Sequence, residues 1–201
     1  MLRLLPFRQY DEQDVVNLFA LESDLALEAS TDDGQGSNGV FVKVTNGNFD
    51  SEVVSYGTNS YLGKVDYPHV GADMYPSNPL TVSGVAAGDM PLGITLNQTA
   101  KADENGEKLL YNKVKCEELQ AVLPGQTVPV ATKGIFTLAA AAFSGDASDY
   151  AVGTGIVAHD NGTVAPGAPA GAFGTVLGTG SRSSNGATDV FAGDYLIVKL
   201  G

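Results

Sequence analysis

Short apolar runs separated by turn residues recur along the chain, and residues 119–138 show this pattern most densely. There, Pro124-Gly125 and Lys133-Gly134 separate three apolar runs that are too short for stable helices and rich in β-branched residues. Because Pro fixes φ and Gly accepts a positive φ, Pro-Gly predicts a turn. The pattern predicts an all-β fold, either a β-barrel or a β-sandwich.

Two segments give the clearest strand patterns. Residues 40–44 have the sequence Val-Phe-Val-Lys-Val, which puts the three valines on one face of a strand. Asn46-Gly47 follows and predicts a hairpin turn. The chain ends on residues 195–200, which predict a strand that reaches the last residues. Pro129 has no N–H to donate, so we expect its strand to lie at an edge or a bulge.

Three other segments have a possible helical interpretation. Residues 11–14 fit the cap of a short helix, but residues 15–21 fit a strand, which is the interpretation we favour. Residues 109–123 fit a helical face as well as strands, so their structure stays open. Residues 139–142 are all alanine and favour a helical turn.

Composition and charge exclude several classes of function. The chain has 201 residues and is 43% hydrophobic, which fits one large domain or two small ones. Its net charge is −12, with only 11 Lys and Arg, which argues against binding to nucleic acid or to an anionic membrane. A single cysteine, Cys116, rules out an internal disulfide. Residues 1–10 lack a signal-peptide pattern, so we expect synthesis in the cytoplasm.

Three motifs invite a chemical interpretation, and each has a better structural one. Residues 34–39 match G-x-G-x-x-G, but a strand follows where a dinucleotide site needs a helix. Residues 103–107 resemble the start of a calcium loop, but its twelfth position is Val114, which cannot bind a cation. His69 and His159 have no zinc-ligand spacing. We therefore predict no catalytic, cofactor or metal site, and no enzyme.

Two segments are candidates for contact with a partner. Residues 1–10 predict an extended arm with exposed apolar side chains and two arginines, which either docks on a neighbouring protein or packs on its own domain. Residues 53–79 predict a long tyrosine-rich loop, which forms a contact surface or covers the core. The candidate contact residues are Leu2, Leu4, Leu5, Phe7, Arg8, Tyr61, Tyr67 and Tyr75.

Three stretches point to a known class of proteins: Pro-Leu-Gly-Ile-Thr-Leu at residues 91–96, Asp-Glu-Asn-Gly-Glu-Lys at 103–108, and Pro-Val-Ala-Thr-Lys-Gly at 129–134. They resemble structural proteins of tailed phages, particularly phages that infect marine cyanobacteria. In the C-terminal third, residues 160–167 and 174–178, followed by 189–198, are similar to capsid decoration proteins of the lambda head-stabilising type. Those proteins are small β-rich trimers at the three-fold positions of a capsid.

The resemblance implies a β-barrel or tulip-like decoration core over residues 81–201. Residues 1–80 precede the part shared with the lambda type, and we expect them to form an extended N-terminal arm and a capsid-contacting region of strands and long loops. It further implies a homotrimer that binds the major capsid protein on the outer surface of the virion and stabilises the shell. Two alternatives remain. The chain is another virion part, such as a tail-tube or head-completion protein, or it is a β-rich enzyme or carbohydrate-binding module.

Overall fold

The computed structural model shows a predominantly β protein, which confirms the predicted all-β class. It describes residues 3–17, 20–21, 38–46, 80–99, 103, 105, 107, 109–123, 126–186, 189 and 191–201. The described strands are β1 (Leu4–Gln9), β2 (Val15–Val16), β3 (Ala20–Leu21), β4 (Phe41–Asn46), β5 (Leu80–Gly84), β6 (Gly93–Thr95), β7 (Gln98–Thr99), β8 (Ala121–Val122), β9 (Val130–Ala131), β10 (Gly134–Ala139), β11 (Gly155–His159), β12 (Thr163–Gly167), β13 (Gly174–Arg182) and β14 (Gly193–Leu200). The described α-helix is α1 (Lys113–Glu118).

Six antiparallel strands form sheet A, in the order β1-β10-β14-β13-β11-β12. The pairing of β10 with β14 continues without interruption over all six residues of β10. On its other side β14 pairs with β13, and a bulge interrupts the register between Val176 and Gly178. The predicted C-terminal strand is therefore confirmed, and it lies in the middle of the sheet.

Six shorter strands form sheet B, in the order β2-β9-β6-β4-β5-β3. All neighbours in sheet B are antiparallel except β3 and β5, which run parallel. A separate parallel pair joins β7 to β8. The strand predicted over residues 15–21 is thus present as two short strands, β2 and β3, with opposite places in the order of sheet B.

Neither large sheet closes on itself, so the barrel that the resemblance implies is not found among the described strands. The two outer strands of sheet A, β1 and β12, each make contacts with other segments of the chain. At β1, the backbone N–H groups of Arg3 and Leu4 both donate to the side-chain oxygen of Asn38. At β12, Val164 forms a parallel bridge with Phe143 and accepts a hydrogen bond from the Ser144 N–H. The two edges are not paired with each other.

The main core lies between the two sheets. Sheet B contributes Phe41 and Ile94, which pack in one buried cluster with Phe136 and Leu196 of sheet A. A second cluster, with Val42 among its members, lies on the other face of sheet B. Side chains on both faces of sheet B are therefore buried. The predicted alternation in residues 40–44 is confirmed, because Phe41 and Val42 join opposite clusters.

The N-terminal segment is a strand of sheet A, so of the two alternatives for residues 1–10 the structure shows the second, packing on their own domain, and the expected extended arm is not found. Leu4 lies opposite Leu138 and is only 3% exposed. Arg3 is also buried, and its guanidinium donates to the carbonyl of Asn161 at 2.9 Å. A register shift between Leu4 and Arg8 interrupts the period of two residues that would have marked a strand. Leu2 lies outside the described residues.

Pro129 does not mark an edge strand, contrary to its prediction. β9 begins at the next residue and lies between β2 and β6 inside sheet B. Pro129 stands just before the paired residues, so its missing N–H costs the sheet no hydrogen bond. Its carbonyl accepts a hydrogen bond from the Leu96 N–H at 3.1 Å.

Residues 109–123, for which the sequence allowed either a helix or strands, contain the helix α1. The side chain of Asn112 caps the helix by accepting from the Lys115 N–H at 3.2 Å. Helical geometry ends near Gln120, which has a positive φ of 49°. Residues Leu109 and Leu123 form a small buried cluster beneath this segment. The helical turn predicted at residues 139–142 is present as a 3-10 turn over Ala140–Ala142.

Both sheets contain strands from each of the two predicted parts, residues 1–80 and residues 81–201. β1 pairs with β10, and β2 pairs with β9. β4 lies between β5 and β6 in sheet B. The strands on either side of residue 80 are therefore hydrogen-bonded to one another.

Deleting residues 1–10 should destabilise the whole protein, because it removes β1 and the buried side chain of Leu4. Loss of one buried leucine alone costs about 2–5 kcal/mol. Chemical denaturation should show a loss of at least about 3 kcal/mol, while Phe7→Ala, which keeps β1, should stay within about 0.5 kcal/mol of the wild type. A truncated chain as stable as the wild type would show that β1 contributes nothing to the fold.

Tyr150 gives a second test of the packing. It is 1% exposed, and its hydroxyl lies 2.8 Å from the Ser144 carbonyl and 2.9 Å from the Val164 carbonyl. Burial raises the pKa of this phenol to about 12. Tyr150→Phe leaves the carbonyls without this donor and should lower the free energy of unfolding by about 1–3 kcal/mol. The same change at partly exposed Tyr195 is the control, and equal effects at the two positions would contradict this account.

Candidate binding surface

Sheet A has one face in the core and one face free of sheet B. On β14, Leu196 and Val198 are fully buried in the core cluster. Because neighbouring side chains alternate across a strand, Tyr195 and Ile197 belong to the opposite face. We call this opposite side of sheet A the outer face.

A row of side chains crosses the outer face at the level of Ile197. Thr137 of β10 lies opposite Ile197, and Gly178 of β13 lies opposite it on the other side. In β1, Arg8 pairs with Phe136, so the preceding residue, Phe7, stands at the level of Thr137. The row therefore runs from Phe7 of β1 to Ile197 of β14 past Thr137 of β10, which is itself buried, at 6% exposure.

Two large apolar side chains of this region are freely exposed. Phe7 is 67% exposed, and Leu177, in the β13 bulge, is 42% exposed. Ile135 and Ile197 on the strands between them are half-buried. An apolar surface carried by a hydrogen-bonded sheet is rigid, so it binds a partner without a large cost in ordering.

Glycines in β13 keep this part of the face shallow. A Cβ atom at Gly180 would lie 2.5 Å from the hydroxyl oxygen of Tyr195, so the tyrosine occupies the space over that residue. A Cβ at Gly178 would lie 3.7 Å from the side chain of Ile197. The side chains of β14 thus extend over β13, which makes a broad surface and not a deep pocket.

A structured hairpin tip lies at one end of the face, between β13 and β14. The carboxylate of Asp189 accepts hydrogen bonds from the N–H groups of Asn185 and Phe191, both at 3.1 Å. These bonds hold the pKa of Asp189 below its usual value, with a smaller contribution from Arg182. Arg182 lies 3.8 Å from this carboxylate and 6.0 Å from the ring centre of Phe191.

The predicted contact residues have different positions in the structure. Leu4 is buried and faces the core, which excludes it from a contact surface, and Leu5 is half-buried. Phe7 and Arg8 are exposed. The remaining predicted residues lie outside the described part of the chain: Leu2, Tyr61, Tyr67 and Tyr75.

Ile135, Ile197 and Leu177 were missed by the sequence predictions. The signal was present in residues 195–200, where apolar side chains occupy both alternating sets of positions. A strand with one solvent-exposed face normally has polar residues in one set. Ile197 is an apolar residue in the outward set, which makes this face a candidate for contact with a partner.

The described residues contain no group of three His, Cys, Asp or Glu that could hold a metal ion. The Cys116 thiol donates to the Ala121 carbonyl at 3.3 Å, and burial raises the pKa of this thiol, which disfavours a reactive thiolate. His159 contacts Thr163 at 3.2 Å, and His69 lies outside the described residues. A shallow groove of about 210 Å³ has mainly glycine, alanine and proline in its walls, together with Phe173 and Thr175.

None of the helices in the described part of the chain is long and apolar enough to cross a membrane. Comparisons with protein-family models, with curated proteins and with solved structures found no match to this chain.

Acid should loosen the hairpin tip. The ionised form of Asp189 makes the hydrogen bonds to Asn185 and Phe191, and its lowered pKa means that folding favours ionisation. Its contribution is therefore complete above the usual aspartate pKa and is lost as the pH falls through the lowered value. Amide exchange at Asn185 and Phe191, measured relative to the unfolded chain, should accelerate in acid and in Asp189→Asn. Protection that is unchanged in the variant would contradict this role.

Proposed function

We propose that this chain is a structural virion protein that binds the outer surface of a phage capsid and stabilises it. The observation that carries the proposal is the outer face of sheet A, on which the apolar side chains of Phe7 and Leu177 are exposed. The sequence resemblance to phage decoration proteins supplies the class of partner, the major capsid protein. In this proposal the protein is not an enzyme and needs no cofactor.

The energetics of Phe7 and Leu177 suit a repeated, low-affinity contact. Complete burial of one such side chain is worth about 1.5–3 kcal/mol, and association has its own entropic cost. A few exposed apolar side chains therefore give weak binding for one copy. A homotrimer multiplies the contacts on a symmetric lattice, so several weak contacts act together.

The charge of the chain agrees with a place outside the shell. A net charge of −12 does not favour contact with packaged nucleic acid. The protein is made in the host cytoplasm and joins the particle on its outer surface in this proposal.

Removal of the exposed aromatic side chain should weaken binding to shells and leave the fold intact. Phe7→Ala should lower affinity for shells assembled from the major capsid protein of the same genome by about tenfold. Met90→Ala is the matched control, because Met90 is 76% exposed and lies in the loop between β5 and β6. Cosedimentation with shells measures both variants. Equal binding by both would remove Phe7 from the contact, and no binding by the wild type would refute the proposed function.

A further inference from the structure

The chain contains Asn-Gly pairs at residues 38–39, 46–47, 105–106, 161–162 and 185–186. Such a pair is chemically labile, because glycine has no Cβ to block the approach of its main-chain nitrogen to the asparagine side chain. That nitrogen loses its proton and forms a bond to the amide carbon, and the amide nitrogen leaves as ammonia. Water then opens the resulting succinimide ring, and the product is aspartate or isoaspartate. Gly47 and Gly106 lie outside the described residues, so the comparison below concerns the other three pairs.

The pair Asn38-Gly39 is held by two other strands. Gly39 is buried, and its N–H donates to the Thr95 carbonyl at 2.9 Å. The side-chain oxygen of Asn38 accepts from the N–H groups of Arg3 and Leu4 at 3.2 and 3.3 Å. The attacking nitrogen and the amide that it would attack are thus both fixed, so the reaction requires local opening of the sheets.

The pair Asn161-Gly162 is held in a similar way. Gly162 is buried, and its N–H donates to the Val85 carbonyl at 3.0 Å. The buried guanidinium of Arg3 donates to the carbonyls of Asn161 and Gly162 at 2.9 and 3.3 Å. This turn is therefore tied to two distant segments of the chain, although the side chain of Asn161 is exposed.

The pair Asn185-Gly186 lies at the hairpin tip between β13 and β14, and both residues are exposed. The Gly186 N–H donates to the hydroxyl of Ser184, two residues away, at 3.2 Å. The Asn185 N–H donates to the carboxylate of Asp189 in the same tip. Hydrogen bonds that join neighbouring residues in contact with solvent open at a smaller cost in free energy than buried bonds between strands. The attacking nitrogen is therefore more available here than in the other two pairs.

We propose that Asn185 is a site of spontaneous deamidation in the folded protein, and that the fold protects Asn38 and Asn161 from the same reaction. The product adds a carboxylate beside that of Asp189, and like charges at this distance repel. The isoaspartate form also lengthens the main chain by a methylene group. Both changes disturb the hydrogen bonds by which Asp189 holds the tip, including the one from the Phe191 N–H.

The test follows each asparagine by peptide mapping and mass spectrometry while the protein is kept at mildly alkaline pH, which favours the deprotonated glycine nitrogen. The same measurement in denaturant gives the intrinsic rate of each pair and is the control for local sequence. In the folded protein, Asn185 should react within about threefold of its unfolded rate, whereas Asn38 and Asn161 should react at least about tenfold more slowly than theirs. Circular dichroism before and after incubation establishes that the protein stays folded.

The variant Asn185→Gln tests the consequence for the tip, because it keeps an amide but removes the labile pair. Amide exchange at Phe191 should accelerate in aged wild-type protein and stay unchanged in the aged variant. Equal rates at all three asparagines in the folded protein would overturn the inference, and so would protection of Asn185 as strong as that of Asn38. None of these measurements involves shells, so the result does not depend on the proposed function.

Discussion

The core between sheets A and B is the interaction on which the rest of the structure depends. Phe41 and Ile94 from one sheet and Phe136 and Leu196 from the other bury one face of each. This contact decides which side chains of β10 and β14 are left for the surface. Sheet B covers its other face with the second apolar cluster. Sheet A is therefore the large sheet with a face available to a partner, within the part of the chain that the structure describes.

Local signals in the sequence were sufficient for two of the strands. Alternation in residues 40–44 predicted β4, and the C-terminal apolar run predicted β14. The N-terminal strand was missed because its partner, β10, lies more than a hundred residues away and its register is irregular. Pro129 wrongly predicted an edge strand for a similar reason, because the place of a strand in a sheet depends on long-range pairing. A proline just before a strand removes no hydrogen bond from the sheet. Whether a sheet closes into a barrel also depends on long-range pairing, so the local sequence pattern could not distinguish a barrel from an open sheet.

The candidate surface was only partly predictable. Phe7 and Arg8 were predicted as contact residues because an apolar segment with arginines is unusual in an acidic chain, and both are exposed. Ile197 and Lys199 become part of the same surface only when β14 is placed beside β10. The strand that was expected to reach out as an arm is instead fixed in the sheet, where Leu4 is buried in the core and Phe7 is exposed. In the proposed function, stability and binding therefore depend on opposite faces of the same strand.

A cryo-electron microscopy map of the protein bound to its shell tests the central claim most directly, because it shows which face of the molecule meets the partner. The account predicts that the outer face of sheet A, with Phe7 and Ile197, lies against the shell, and that sheet B lies on the far side of the core. A map in which the outer face of sheet A points to solvent while another surface contacts the shell would contradict it.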